Sequence, residues 1–225
     1  MSFELSKIKV APIGKRAAKR IVIENHYMKT WPMGNLLSLG VWYDDHVKGV
    51  MVFGKSSGTN KKVKLFDNRI AKNEIIEMQR MWLSDDLGHN AESKSLGLAM
   101  KLFKKYSPEI KVIWTYAGGC KNDCGIVYQA SGFCYLGSEP CNDFYLTSKG
   151  EYKNLISAKR FGRVPKDLKT NEDIGKHLFG NGKMIKSKRY YYFYPVDKAI
   201  RRIMKKKSKP FPKDSLNWRK DQKWI

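Results

Sequence analysis

At 225 residues, 42% of them hydrophobic and 12% aromatic, the chain can bury one large core, which excludes wholesale disorder. Its formal net charge of +23 is too one-sided for ordinary solvation and points to a polyanionic partner, nucleic acid ahead of an anionic membrane. No apolar run approaches the roughly 18 residues of a membrane helix. The N-terminus MSFELSKIKVAPIG has no apolar signal core, so a cytoplasmic protein without a membrane partner is expected. Residues 151–225 hold 22 Lys and Arg against 7 Asp and Glu, a net +15 that leaves +8 to the first two thirds. Two parts are therefore expected: a core over 1–150, and a basic, aromatic-rich extension over 151–225 that packs on it and faces the polyanion.

In chain order, a short strand at 8–10 precedes a helix that begins near Pro12 and carries Ala17, Ala18, Ile21 and Val22 at helical spacing. It runs out into His26 and Tyr27, followed by a loop with Trp31 and Pro32. Residues 36–43 and 47–53 alternate around Asp44 and Asp45 and read as a hairpin. Residues 54–60, GKSSGTN, lack the spacing of a phosphate loop and read as a flexible loop, and 61–70 read as polar and irregular.

An apolar strand at 74–82 carries Glu77 and Arg80. A polar turn then leads into a helix over 93–106, whose N-terminal N–H groups and dipole form a natural seat for an anion. A strand at 112–116, a short helix at 126–130, and strands at 133–137 and 144–146 follow. Strands and helices alternate only in the second half, which predicts an α/β (α+β) fold: a mixed central sheet with helices on both faces.

The four cysteines, Cys120, Cys124, Cys134 and Cys141, have the spacing C-x3-C-x9-C-x6-C, which is not a common zinc pattern and reads as free thiols. A metal ion is compatible with the sequence but nothing demands one. In the last third, Lys159, Arg160 and Arg163 sit in a loop and 171–179 form a short helix. Lys186, Lys188 and Arg189 directly precede an aromatic strand at 190–194, a pairing suited to backbone binding with base stacking. Residues 197–207 read as a short basic helix and the tail beyond as extended.

Several motifs in order carry a resemblance. The segment GIVYQASGF looks like the fourth helix and following strand of the Gcn5-related N-acetyltransferase superfamily. More narrowly, Arg80-Met81-Trp82, Asn90-Ala91-Glu92-Ser93 and Tyr128-Gln129-Ala130, with His26-Tyr27 upstream, resemble the Mom family of phage DNA-modification proteins over nearly the full chain.

The resemblance implies an acetyltransferase-like fold. It implies conversion of adenine in double-stranded DNA to N6-carbamoylmethyl-adenine inside the host bacterium, which protects phage DNA from restriction. The donor would be an acyl or aminoacyl species, acetyl-coenzyme A among them, contacted by Arg80, Asn90, Glu92 and Ser93. Tyr128 would give a proton to the leaving group. His26 is the candidate base, having a pKa nearest neutrality, with Glu77 as the alternative. Tyr27 or Trp31 would stack on the extruded base, and Lys159, Arg160, Arg163, Lys186, Lys188 and Arg189 would hold phosphates.

The chain departs from the family pattern twice. The turn before the second helix lacks the glycines of a pyrophosphate loop, and Gly118 stands where the family carries an acidic residue, with Asp123 as a candidate replacement. Two other classes fit part of the pattern: a non-catalytic DNA-binding protein on the same scaffold, and an acyltransferase acting on another amine. A homodimer is compatible with the sequence and not demanded by it.

Overall fold

The computed structural model describes residues 3–55, 59–66, 68–118, 123–156 and 164–212. The chain forms two compact units that interleave in sequence: 1–115, 126–136 and 191–211 make the first, and 116–125, 137–190 and 212–225 the second. Residues 137–150, grouped with the core from sequence, thus fall in the second unit, and 191–211 return to the first. The reason is that two 14-residue strands each contribute residues to both units.

In the first unit β1 (Lys9–Pro12), β2 (Asn35–Tyr43), β3 (His46–Lys55) and β4 (Ile75–Leu83) pair in that order, all antiparallel. The β2–β3 hairpin closes on Asp44 and Asp45, both at positive φ (47° and 61°), the geometry that matches strand twist. β5 (Val112–Gly118) joins β4 in parallel, so the sheet is mixed as expected.

Neighbouring residues on a strand face opposite ways, and this places the helices. Ala18 and Val22 of α1 (Lys15–Asn25) pack on Val50 and Val52. Phe103 of α3 (Ala91–Tyr106) meets Phe53 edge-on at 4.8 Å. Helices therefore cover both faces.

Residues 61–70 depart from expectation, because Thr59–Leu65 forms helix α2. Phe66, at its end, is buried edge-on to Phe193 at 5.9 Å, and such tertiary burial can stabilise a helix that its polar sequence does not announce. The strands expected at 133–137 and 144–146 are one strand, β6 (Cys134–Thr147). Pro140 lies exposed within it.

The second unit holds most of β6, then β7 (Tyr152–Asn154), α5 (Asn171–Phe179) and the first part of β8 (Gly182–Pro195). Its core is Tyr145, Leu155 and Ile174, with the Tyr145 hydroxyl donating to the Gly180 carbonyl at 2.8 Å. Thr170 caps α5 by accepting from the Asp173 N–H. The helix α6 (Lys198–Lys207) closes the first unit, and its N-cap Asp197 accepts from the Ala199 and Ile200 N–H groups.

Among the described residues no helix is long and apolar enough to cross a membrane.

Candidate active site

β4 organises the site through an irregularity. Val52 pairs with Arg80 and Phe53 with Met78, so Gln79 is an extra residue, a β-bulge. The bulge re-aims the strand, so that Glu77 and Arg80 come within electrostatic reach of each other. The parallel ladder to β5 has its register only over Ile75–Glu77 against Val112–Trp114. Beyond those rungs the two strands separate, with Thr115 Oγ1 donating to the Met78 carbonyl at 3.1 Å at the fork.

Arg80 fastens the α1–β2 loop to this strand. Its Nη1 donates to the Gln79 carbonyl at 2.7 Å, Nη2 to Thr30 Oγ1 at 3.2 Å, and Nε to the Thr30 carbonyl at 3.4 Å. Gln79 adds a bond from Nε2 to the Met33 carbonyl at 3.0 Å. The same loop carries His26 and Tyr27, whose rings stack with centroids 4.3 Å apart.

His26 is buried, and its Nδ1 accepts the Met28 N–H at 3.1 Å, which puts the ring proton on Nε2. Burial first, then the nearby Arg80 charge, pushes its pKa down to about 3. The imidazole is therefore neutral near pH 7 and presents a donor, with the lone pair a base would use already engaged. Because the folded pKa lies below the unfolded value of 6.5, stability attributable to His26 is complete above that value. It is lost as pH falls toward about 3, with a limiting slope of about 1.4 kcal/mol per pH unit. His26→Gln should flatten the dependence measured by denaturant titration between about pH 4 and pH 7.

Lys62 of α2 was not visible as a site residue from sequence, where it is one lysine in the run Lys61-Lys62-Val63-Lys64. Its Nζ lies 3.3 Å from Glu77 Oε2 and 4.5 Å from the Trp114 ring centroid, and its side chain is only 6% exposed. Burial lowers its pKa to about 8, against the opposing pull of Glu77. The structure thus assembles His26, Tyr27, Arg80, Glu77 and Lys62 in one neighbourhood on the α1/α2 face.

Tyr128 belongs to the opposite face. On β8, Tyr191 packs against Trp114, whereas Tyr192 packs against Tyr128 with centroids 5.5 Å apart. The helix α4 (Ile126–Ala130) ends in a Schellman motif: the Phe133 N–H bonds the Tyr128 carbonyl, the Gly132 N–H bonds the Gln129 carbonyl, and Gly132 sits at φ 76°. The accompanying apolar contact is Tyr128 on Phe133, at 5.3 Å. Gln129 Nε2 donates to the Tyr192 hydroxyl at 3.0 Å and completes the brace.

At the N-terminus of α3 the cap residue Asn90 is left-handed at φ 67°, a conformation that glycine or asparagine adopts most readily. The turn therefore attains its shape without the glycines whose absence was noted in the sequence. Ser93 Oγ donates to the Asn90 carbonyl at 3.0 Å, and Asn90 and Glu92 are exposed. The Glu92 and Ser93 N–H groups are first-turn donors that a helix leaves open to an anion.

Trp31 is not presented for stacking. It packs on the Ala18, Val22, Val50 and Val52 cluster, and its Nε1 donates to Asn35 Oδ1 at 3.2 Å. Tyr27, 41% exposed, is the better-placed aromatic.

Lys186, Lys188 and Arg189 lie inside β8 rather than before it. Lys186 and Lys188 are exposed, while Arg189 pairs with Asp143 and Glu139 and lies 5.8 Å from the Tyr116 ring centroid. That arginine is tied to protein carboxylates, contrary to its expected phosphate role. Lys159, Arg160 and Arg163 lie outside the described residues.

Gly118 has φ 94°, and a Cβ there would sit 2.1 Å from the Lys188 carbonyl oxygen. Asp123 Oδ1 accepts the Gly125 N–H at 2.9 Å. Cys134 and Cys141 are free thiols, and Cys124 is buried. Among the described residues no three His, Cys, Asp or Glu side chains gather as a metal ligand set.

The described residues thus form a mixed sheet, with β5 parallel to β4, helices on both faces and an open helix N-terminus at α3. The chain belongs to the Mom protein family, whose sequence profile matches residues 7–213. It is 26% identical over 215 residues to the methylcarbamoylase Mom of Escherichia phage Mu, covering 92% of this chain and 84% of that one. Solved structures that align with it include a spermidine/spermine N-acetyltransferase from Vibrio cholerae (TM-score 0.49, 8% identity, 88% of this chain and 98% of that one). Another is the IAA acetyltransferase from Bacillus cereus (TM-score 0.47, 14% identity, 84% of this chain and 99% of that one).

Proposed function

We propose that the chain is a transferase that modifies adenine in duplex DNA to N6-carbamoylmethyl-adenine and so shields phage DNA from host restriction. The observation that carries this reading is the Arg80 anchor. In a member of the Mom family with a net charge of +23, it ties the His26–Tyr27 loop to the strand that forks beside α3.

The α3 N-terminus fits the phosphates of a coenzyme A-type donor, held by the Glu92 and Ser93 N–H groups, with Asn90 shaping the turn. The separated edges of β4 and β5 fit an extended amide-bearing arm, which would pair with strand backbone as a peptide does. Such a donor would supply an activated acyl carbon, and attack on it gives an N6-acyl adenine. A two-carbon aminoacyl group so joined is an isomer of the carbamoylmethyl group, reached when its free amine attacks C6 and displaces the new amide nitrogen.

The chain's own residues do the rest. An adenine inside a duplex is out of reach until it is flipped, at a cost of a few kcal/mol. Tyr27, exposed and backed by His26, receives the flipped ring by stacking. The His26 Nε2–H is a neutral donor for a base acceptor atom. Glu77 takes the proton that the weakly nucleophilic exocyclic amine sheds, and Lys62 beside it holds that carboxylate ready. Tyr128 reaches the fork from the other face and protonates the leaving group. Lys186 and Lys188 add phosphate contacts.

Mass spectrometry of nucleosides from DNA of cells expressing the chain tests this reading. A modified deoxyadenosine is expected with the wild type. Tyr128→Phe should fall by on the order of 10²-fold or more, the scale of general acid catalysis, with unchanged thermal melting. Unaltered DNA under good expression would sink the reading.

A further inference from the structure

The mechanism above gives no role to a basic cavity in the first unit. Between α3 and α6 lies a pocket of about 430 Å³ lined by Lys104, Lys198, Arg201, Arg202 and Lys205, with Tyr194 on its wall and no carboxylate in its lining. On α6 the four cations fall at i, i+3, i+4 and i+7, a single stripe, while Ile200 and Met204 are buried on the other side. Lys198 with Arg202, and Arg201 with Lys205, are like-charge pairs at i, i+4, which an isolated helix disfavours. None of the five cations is in an ion pair among the described residues. The acid at the helix start, Asp197, is taken up in capping.

Arg201 is also held in place. Its Nη2 donates to the Tyr194 hydroxyl at 3.3 Å, and the guanidinium lies 5.5 Å from that ring's centroid. An oriented arginine in a groove of uncompensated charge is complementary to phosphate.

We propose that this groove is a second seat for the phosphodiester backbone of the nucleic acid, remote from the reacting base. The proposal rests on the DNA reading given above. Lys104 is eleven residues beyond Ser93 on α3, about 16 Å along the axis, so the groove is separate from the anion seat at that helix's N-terminus. The stripe on α6 extends about 10 Å, a length over which duplex DNA presents roughly six charges. A linear polyanion matches that charge distribution better than a single small anion does.

The test is fluorescence anisotropy with a labelled duplex of arbitrary sequence across a salt series. Its variant is Arg201→Gln with Arg202→Gln and Lys205→Gln, all at exposed positions. The control is Lys7→Gln with Lys9→Gln and Lys48→Gln, which lowers net charge equally at lysines paired with Asp44, Asp45 and Asp86. The α6 variant should bind at least about tenfold more weakly, and its log–log salt slope should shrink by about two to three units; the control should keep the wild-type slope. Equal losses in both variants, or an α6 variant matching a wild type that does bind, would overturn the proposal while leaving the DNA reading intact. Displacement of duplex from the wild type by micromolar tripolyphosphate, with the α6 variant still at full duplex affinity, would assign the groove to a small anion and overturn it too. A wild type that binds no duplex overturns the DNA reading itself.

Discussion

Arg80→Lys is expected to fold and to lose DNA-modifying activity by on the order of 10²-fold, the cost of misplacing a reacting group by about an ångström. Three guanidinium nitrogens serve three acceptors on two segments, the Gln79 carbonyl at the bulge and both oxygens of Thr30. A lysine ammonium is a point charge that cannot span that fork. The charge would remain, so the loss would report geometry rather than electrostatics. The loop bearing His26 and Tyr27 would loosen while the sheet stayed intact. Quantified modified deoxyadenosine checks the activity, and hydrogen exchange over residues 26–34 checks the loosening. Faster exchange confined to that loop is the signature; wild-type activity with a loosened loop would show that the anchor does not position the site.

Gly118→Asp, which restores the acidic residue of the family pattern, is expected to cost more than about 3 kcal/mol and to give little soluble protein. The new Cβ would meet the Lys188 carbonyl oxygen at 2.1 Å and the Tyr190 ring at 3.1 Å, and the backbone there holds φ 94°. Neither neighbour is the free end of a flexible side chain, so relief requires β5 or β8 to move. Soluble yield and chemical denaturation provide the measurement. Asp123 Oδ1 accepts from the Gly125 N–H, and a carboxylate keeps further acceptor sites beside such a bond. Asp123→Asn would keep that bond and remove the charge.

The readable parts of the sequence were those where the determinant is local. Helix α4 was bounded at 126–130 because Gly132 supplies the left-handed residue that ends it, and the hairpin was legible from Asp44-Asp45 between alternating runs. Helix α5, expected at 171–179, has those bounds, and the structure shows Thr170 capping it. The failures arise where the determinant is distant. Lys62 is buried by Trp114, 52 positions away in the chain, and paired with Glu77, 15 away.

Arg189 read as a phosphate ligand because Asp143 and Glu139 are about fifty residues off. Trp31 read as a stacking platform because the apolar cluster beneath it comes from α1 and β3. The sequence singled out His26, Tyr27, Arg80 and Glu77, which the structure brings into one neighbourhood. The protonation state of His26 was not legible, since that depends on burial.

The brace on Tyr128 also bears on synthesis. A five-residue helix has no stability of its own, and Tyr128 is held by Tyr192 and, through Gln129, by a bond spanning 63 residues. Contacts of such long range form late. At roughly 5–20 residues per second, the ribosome needs on the order of 3–13 s to make the intervening chain. A nascent or truncated product that stops before β8 therefore carries the His26–Arg80 neighbourhood while Tyr128 still lacks the partners that hold it.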